Sequence, residues 1–371
     1  MIELKILFCQ TQFKLGGQQK VLLTIAKALS KRYDVTVYYE NHNFYDLGEL
    51  HTIRPSKSVQ ILNLGIAAIL MIFQKKKRKK IYADLWHLLN MKSRLKNEEY
   101  DLVILLNPYI LFVEEVKKLI NPKKVVCWTH NLFDNYVAGC FKFQNERLFA
   151  SMKLANQIVS LEKYTADKWK EINPETIIIH NPITIDNNGQ LTNLSKKRII
   201  VIGRIQIDSK GLDYLCEIAP LLDSEIEIIV AGSGSDTDEQ KFSAMIKVKN
   251  LEARINWIGA ITGDDLIDLY QSSSLLLMTS RYEGFPLVVG EAMSFGIPFV
   301  GFDIPSLREV TENGKYGRLV PIGNMNEMAE VINCMINDRE ELAKMSALSL
   351  VRARQLSLEF IIDNWEKMII K

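Results

Sequence analysis

A chain of 371 residues, 47% hydrophobic and 24% charged, has the balance of a globular protein and the length for two domains. A net charge of +2 creates no bulk electrostatic demand for nucleic acid, and none is expected as a partner. The five cysteines, Cys9, Cys127, Cys140, Cys216 and Cys334, form no C-x-x-C, which excludes a disulfide scaffold or a zinc site and fits a reducing compartment. The N-terminus reads as a strand without the basic start and small-residue cleavage site of a signal peptide, so a cytoplasmic location is expected.

In chain order, residues 5–10 form a first strand. Gly16-Gly17 follows, and residues 18–30 read as a helix with Val21, Leu22, Ile25, Ala28 and Leu29 on one face. Residues 35–39 are a second strand. The opening is that of a nucleotide-binding fold, without the G-x-G-x-x-G of dinucleotide binders. Further strands are expected at 101–106, 124–129, 157–161 and 176–179. His130-Asn131 ends the 124–129 strand, and the turn signal His180-Asn181-Pro182 follows later. Residues 186–197 are polar and rich in Asn, Gly, Thr and Ser, and the domain linker is placed there. The pattern then restarts. Residues 198–202 are a strand ending in Gly203-Arg204. Ser209-Lys210-Gly211 opens a helix, and 226–231 is a strand ending in Gly232-Ser-Gly234. Residues 255–258 form a strand, 264–271 a helix, and 325–371 are mostly helical. Repeated β-α alternation in both halves predicts an α/β protein of two Rossmann-like, doubly wound domains facing an interdomain cleft.

The densest signal is a β-loop-α-β unit over residues 275–302. The apolar run 275–278 is a buried strand, Pro286 suits the first helical position, and Gly296 suits a left-handed helix stop before Pro298. Glu283 lies in the loop and Glu291 on the helix. Free backbone N–H groups at Gly284, Phe285 and Leu287 can meet phosphate oxygens. A carboxylate repels phosphate but accepts from hydroxyls, so Glu291 suits a ribose diol and Glu283 a sugar. Arg204 and Lys210 both follow one strand and can balance a leaving diphosphate, Arg as a two-pronged clamp and Lys as a point charge. Asp236-Thr-Asp238 spells Asp-x-Asp but reads as a solvated turn, so no metal is expected.

Together, Gly203-Arg204, Lys210-Gly211, Gly232-x-Gly234 and the Glu283-to-Glu291 stretch, with Gly16-Gly17 and His130, resemble the retaining glycosyltransferases of family 4, which have the GT-B fold. The resemblance implies an acceptor domain at 1–185, a nucleotide-sugar domain at 186–356, and a last helix, 357–371, crossing back. It implies Arg204, Lys210, Glu283 and His130 as catalytic. It further implies donor contacts at Gly16, Gly17, Gly203, Gly232, Gly284, Phe285, Pro286, Leu287 and Glu291. The implied reaction moves a hexose or N-acetylhexosamine from a nucleotide diphosphate sugar, UDP-linked as the commonest donor, to a glycan or lipid-linked acceptor in cell-surface polysaccharide synthesis. It is a retaining, metal-independent transfer with no cofactor, the nucleotide-sugar being a co-substrate. The 257–261 loop is a candidate contact for the base.

Other readings stay open. A sugar-nucleotide epimerase on the same fold needs acid/base residues around the sugar and no acceptor. A non-catalytic relative should have lost Arg204, Lys210 or the glutamates. A nucleotide-binding oxidoreductase lacks its glycine fingerprint. The apolar run 61–73 ends in a six-cation run, residues 75–80, and is too short to span a bilayer. Two readings fit it: a peripheral contact with anionic membrane through Ile61 to Lys80, or a core-packing helix with a solvated basic end.

Overall fold

The computed structural model describes residues 4–14, 16–72 and 78–370. The chain divides into two units, Met1–Ile179 with Ile362–Lys371, and His180–Ile361.

The first unit holds β1 (Lys5–Cys9), β2 (Gln12–Phe13), β3 (Asp34–Tyr38), β4 (Asn41–Asn43), β5 (His51–Ile53), β6 (Leu102–Leu105), β7 (Lys124–Trp128), β8 (Gln157–Ser160) and β9 (Thr176–Ile178). Seven of them form a parallel sheet in the order β5-β3-β1-β6-β7-β8-β9, and β2 pairs with β4. The central strands are apolar on both faces, as a sheet covered on both sides by helices requires. The Gly17–Leu29 helix supplies part of that cover through Val21, Leu22, Ile25 and Leu29. The C-terminal segment belongs to this unit because Trp365 is buried edge-on against Trp128, ring centroids 4.7 Å apart, and beside Phe8. Arg32 Nη1–H adds a contact shared between both carboxylate oxygens of Glu366, at 2.7 and 2.6 Å.

The second unit holds β10 (Arg198–Ile202), β11 (Glu227–Ala231), β12 (Ile255–Trp257), β13 (Leu275–Met278), β14 (Phe299–Phe302) and β15 (Arg318–Val320). They form a parallel sheet in the order β12-β11-β10-β13-β14-β15. This is the doubly wound order, and its direction reverses between β10 and β13. The loops leaving β10 and β13 diverge at that point, so ligand is expected between them.

Several local expectations change. Residues 180–185 go with the second unit instead of the first, because Ile183 N–H donates to Leu356 O at 2.8 Å and His180 Nε2 lies 2.8 Å from Glu309 Oε1, and residues 357–361 also belong there, so the segment that returns to the first unit is Ile362–Lys371. The polar stretch 186–197 therefore lies inside that unit. Pro286 is the residue before the Leu287–Ser294 helix, with extended backbone, and not its first turn. Residues 207–218 are two pieces, Ile207–Lys210 and Leu212–Ile218, broken by Gly211 in the left-handed region at φ +61°. Asp236 is exposed and Asp238 half-buried, but they are not in a turn. They lie on the first turn of the Asp236–Val248 helix, where Ser235 Oγ caps the Asp238 N–H.

The apolar run falls on the Lys57–Ile72 helix. Ala67 is buried, as is Asn63, which donates to Asn90 Oδ1 at 2.9 Å, while Ile61 is 70% and Ile69 58% exposed. The helix thus packs on one face and presents apolar side chains on another. Phe73 and residues 75–77 of the cationic run lie outside the described residues.

Candidate active site

The loop leaving β10 carries Gly203, Arg204 and Lys210; the loop leaving β13 carries Glu283. Several glycines fix the first loop by contacts no other residue permits. A Cβ on Gly232 would lie 1.7 Å from Gly203 O, and one on Gly234 2.0 Å from Ile205 O, so the β11 loop lies against the β10 loop backbone to backbone. Trp257 Nε1–H donates to Gly232 O at 2.9 Å and locks the same corner. This gives Trp257, expected near a nucleotide base, a bracing contact. A Cβ on Gly211 would meet Thr279 O at 2.0 Å, so Gly211 brings the Lys210 loop onto the end of β13.

Lys210 and Glu283 meet. Lys210 Nζ lies 2.5 Å from Glu283 Oε1, and Ser280 Oγ–H donates to the same oxygen at 2.7 Å. The side chains are 19% and 14% exposed, so the pair is shielded yet reachable. Gly203 lies alongside the Lys210 side chain, where a Cβ would make only ordinary contact, 3.7 Å from Lys210 Nζ. Arg204 is exposed, and no protein group takes its guanidinium among the described residues. It lines one shallow pocket with Gly203, Lys210, Thr279 and Ser280. An unpaired guanidinium beside a lysine suits an anion of two or more charges.

The loop after Glu283 turns into the Leu287–Ser294 helix. No protein group accepts from the N–H of Gly284, Phe285 or Leu287 among the described residues, which leaves them for an anion. Phe285 is buried and stacks on His180, centroids 5.2 Å apart at 15°. Glu291 stands apart from this loop. It is 4% exposed and accepts from Thr184 Oγ1–H at 2.7 Å and from Tyr270 Oη–H at 3.1 Å. Both carboxylate oxygens have protein partners. Burial, with the Glu291 carboxylate second, holds the Tyr270 hydroxyl well above its ordinary pKa, so Tyr270 is a lasting donor.

Sequence reasoning missed Arg281. Its guanidinium forks onto Asp213 at 2.8 and 2.5 Å, donates to Asp208 O at 3.1 Å, and lies 3.9 Å above the Tyr214 ring. Its N–H donates to Ser209 O at 2.9 Å. Arg281 therefore joins the two loops. That guanidinium pushes the Asp213 carboxyl below the usual carboxylate range. The signal was its place two residues before Glu283, which reads as an ordinary surface cation in one dimension.

In the first unit, His130 follows β7. Its N–H donates to Tyr136 Oη at 2.9 Å, its ring lies 4.3 Å from that of Trp128, and its Nε2 is buried without a partner. The residue as a whole is only part-buried, but burial around the ring pushes its pKa down to about 3, so the imidazole is neutral near pH 7. Gly16 is the residue before the Gly17–Leu29 helix, in extended conformation, and Tyr45 Oη bridges its N–H and C=O at 3.0 and 3.1 Å.

Two doubly wound units, one with cations and a carboxylate gathered at its switch point, define an α/β protein with an anion-binding corner at the carboxyl ends of its strands. The family described as Glycosyltransferase Family 4 matches residues 15–187, and Glycosyl transferases group 1 matches residues 183–348. The chain belongs to the family 4 glycosyltransferases and has the GT-B fold. An uncharacterized glycosyltransferase of Haemophilus influenzae is 26% identical over 371 residues, covering 95% of this chain and 96% of that one. The Campylobacter jejuni GalNAc-alpha-(1->4)-GalNAc-alpha-(1->3)-diNAcBac-PP-undecaprenol alpha-1,4-N-acetyl-D-galactosaminyltransferase is 20% identical, covering 99% and 98% of the two chains. Among solved structures, Anabaena HepE in complex with UDP and glucose superposes with a TM-score of 0.75 at 18% identity, covering 99% of each chain.

Proposed function

We propose that this glycosyltransferase moves a hexose or N-acetylhexosamine, with retention, from a UDP-linked donor to a hydroxyl of a glycan or lipid-linked acceptor in cell-surface polysaccharide synthesis. The observation that carries the reading is the meeting of Lys210 and Glu283 at the β10/β13 switch point, beside a pocket that Lys210 and Arg204 both line. The Campylobacter relative's undecaprenol-linked acceptor and the UDP and glucose of the HepE complex support the acceptor and donor classes.

In this mechanism the acceptor oxygen bonds to the anomeric carbon on the face that the diphosphate leaves. The carbon–oxygen bond to phosphate breaks, and a phosphate oxygen takes the acceptor proton. Arg204 and Lys210 stabilise the leaving charge, assisted by the free N–H groups before the Leu287–Ser294 helix. They supply without a metal the positive charge the step needs. Glu283 takes donor-sugar hydroxyls, Glu291 the ribose, and neutral His130 a hydroxyl of sugar or acceptor. Gly16 and Gly17 let backbone approach the ligand. A thermal-shift screen of nucleotides and nucleotide-sugars tests the donor: a uridine nucleotide at 100 times its Kd should add about 2.7 kcal/mol. No shift with any uridine compound, and a shift with another base, overturns the UDP assignment. Nucleotide release without any acceptor, and with the sugar isomerised, would favour an epimerase.

A cytoplasmic enzyme with a lipid-linked acceptor works at a membrane surface. No helix among the described residues is long and apolar enough to cross one. Peripheral contact is supported by exposed Ile61, Leu62 and Ile69 on a helix that the cationic run follows, each cation adding about 1 kcal/mol near anionic lipid. Flotation should show binding to vesicles with 30%-class anionic content (on the order of a third phosphatidylglycerol) and little to neutral ones. Equal recovery with both removes the electrostatic contact.

A further inference from the structure

The Lys210–Glu283 pair has a consequence for which ligand the site prefers. Each partner has a separate task in the proposed transfer, one on phosphate and one on sugar, yet each occupies the other at 2.5 Å. Glu283 is held in that posture by Ser280, whose hydroxyl donates to the same carboxylate oxygen. Lys210 is held by Gly211 and by Thr279 Oγ1–H, which donates to Lys210 O at 2.9 Å. Phosphate must therefore compete with an internal carboxylate for Lys210.

We infer that Glu283 is a specificity-determining residue that makes the site favour the intact nucleotide-sugar over the free nucleotide diphosphate. The inference rests on the donor-site reading above. A diphosphate alone takes Lys210 and leaves Glu283, 14% exposed, without its cation and close to added negative charge. An intact donor takes Lys210 with its phosphate and offers sugar hydroxyls to Glu283, so both partners are satisfied again. Once the sugar has left, Glu283 recaptures Lys210 and weakens the hold on the spent nucleotide. Arg204, exposed and unpaired, meets no such competitor and grips donor and product alike.

The test is calorimetric titration of inorganic pyrophosphate and of UDP. Glu283→Gln should bind both about tenfold more tightly than the unmodified protein, the size expected when one charge-assisted contact is released to the ligand. Glu283→Asp, shorter by one methylene, should show a smaller gain and guards against a Gln variant that does not fold. The gain should vanish when Lys210→Met is combined with Glu283→Gln. Unchanged or weaker binding in both Glu283 variants overturns the inference while leaving the donor site standing. Absence of binding in every protein, the unmodified one included, overturns the donor-site reading and the inference with it.

Discussion

Lys210→Ala is expected to lower turnover about 100- to 1,000-fold, the usual cost of removing one preorganised donor to a developing oxyanion. The leaving nucleotide diphosphate carries about two negative charges, and a desolvated cation is worth far more to it than one in water. Lys210 meets that description because its loop is preorganised by its neighbours. Gly211 seats it on Thr279, and Arg281 bonds to Ser209 N-terminal to it and to Asp213 beyond it. Its ammonium needs little reorganisation, only exchange of Glu283 for phosphate. The measurement is steady-state nucleotide release with the donor identified by thermal shift. Turnover equal to that of the unmodified enzyme removes Lys210 from the mechanism and leaves Arg204 as the principal cation.

Gly211→Ala is expected to destabilise the second unit by about 2–4 kcal/mol or more and to reduce turnover with it. Two costs combine. A non-glycine residue at φ +61° pays about 1 kcal/mol or more, and a methyl placed 2.0 Å from Thr279 O forces two backbones apart, an overpacking cost of about 1–3 kcal/mol or above. The displaced backbone is the one that carries Lys210, so activity should fall further than stability alone explains. Differential scanning calorimetry on the full chain reads the stability term, and kcat at a temperature where the variant is folded reads the second. An unshifted transition with normal kcat would mean that Gly211 and Thr279 do not touch in this way.

Much of this site was legible before any coordinates. The helix at 264–271 and the strand at 275–278 match the structure because their apolar patterns are local and their boundaries carry strong turn residues. Gly296 ends its helix at φ +74° because a left-handed stop has a strong chemical signature. The errors were of another kind. Residues 180–183 looked like the tail of the first unit, and only their bonds to Leu356 and Glu309 assign them to the second. Asp236 and Asp238 looked like part of a turn, since a serine cap is easily read as one, whereas they open a helix. Arg281 showed nothing in sequence of its three-way contact.

By itself the sequence determined the central strands of both sheets in order, the residue types of the site and the family they resemble, since backbone preference and hydrophobic period are properties of neighbouring residues. Which groups stand within hydrogen-bonding reach was decided by tertiary structure. Lys210 and Glu283 come together because β10 and β13 are adjacent at the switch point and because glycines allow their loops to touch. Glu291, similar to Glu283 on paper, is instead turned inward onto Thr184 and Tyr270. A one-dimensional pattern constrains spacing along the chain, whereas charge pairing depends on distances between segments that only the packed sheet sets.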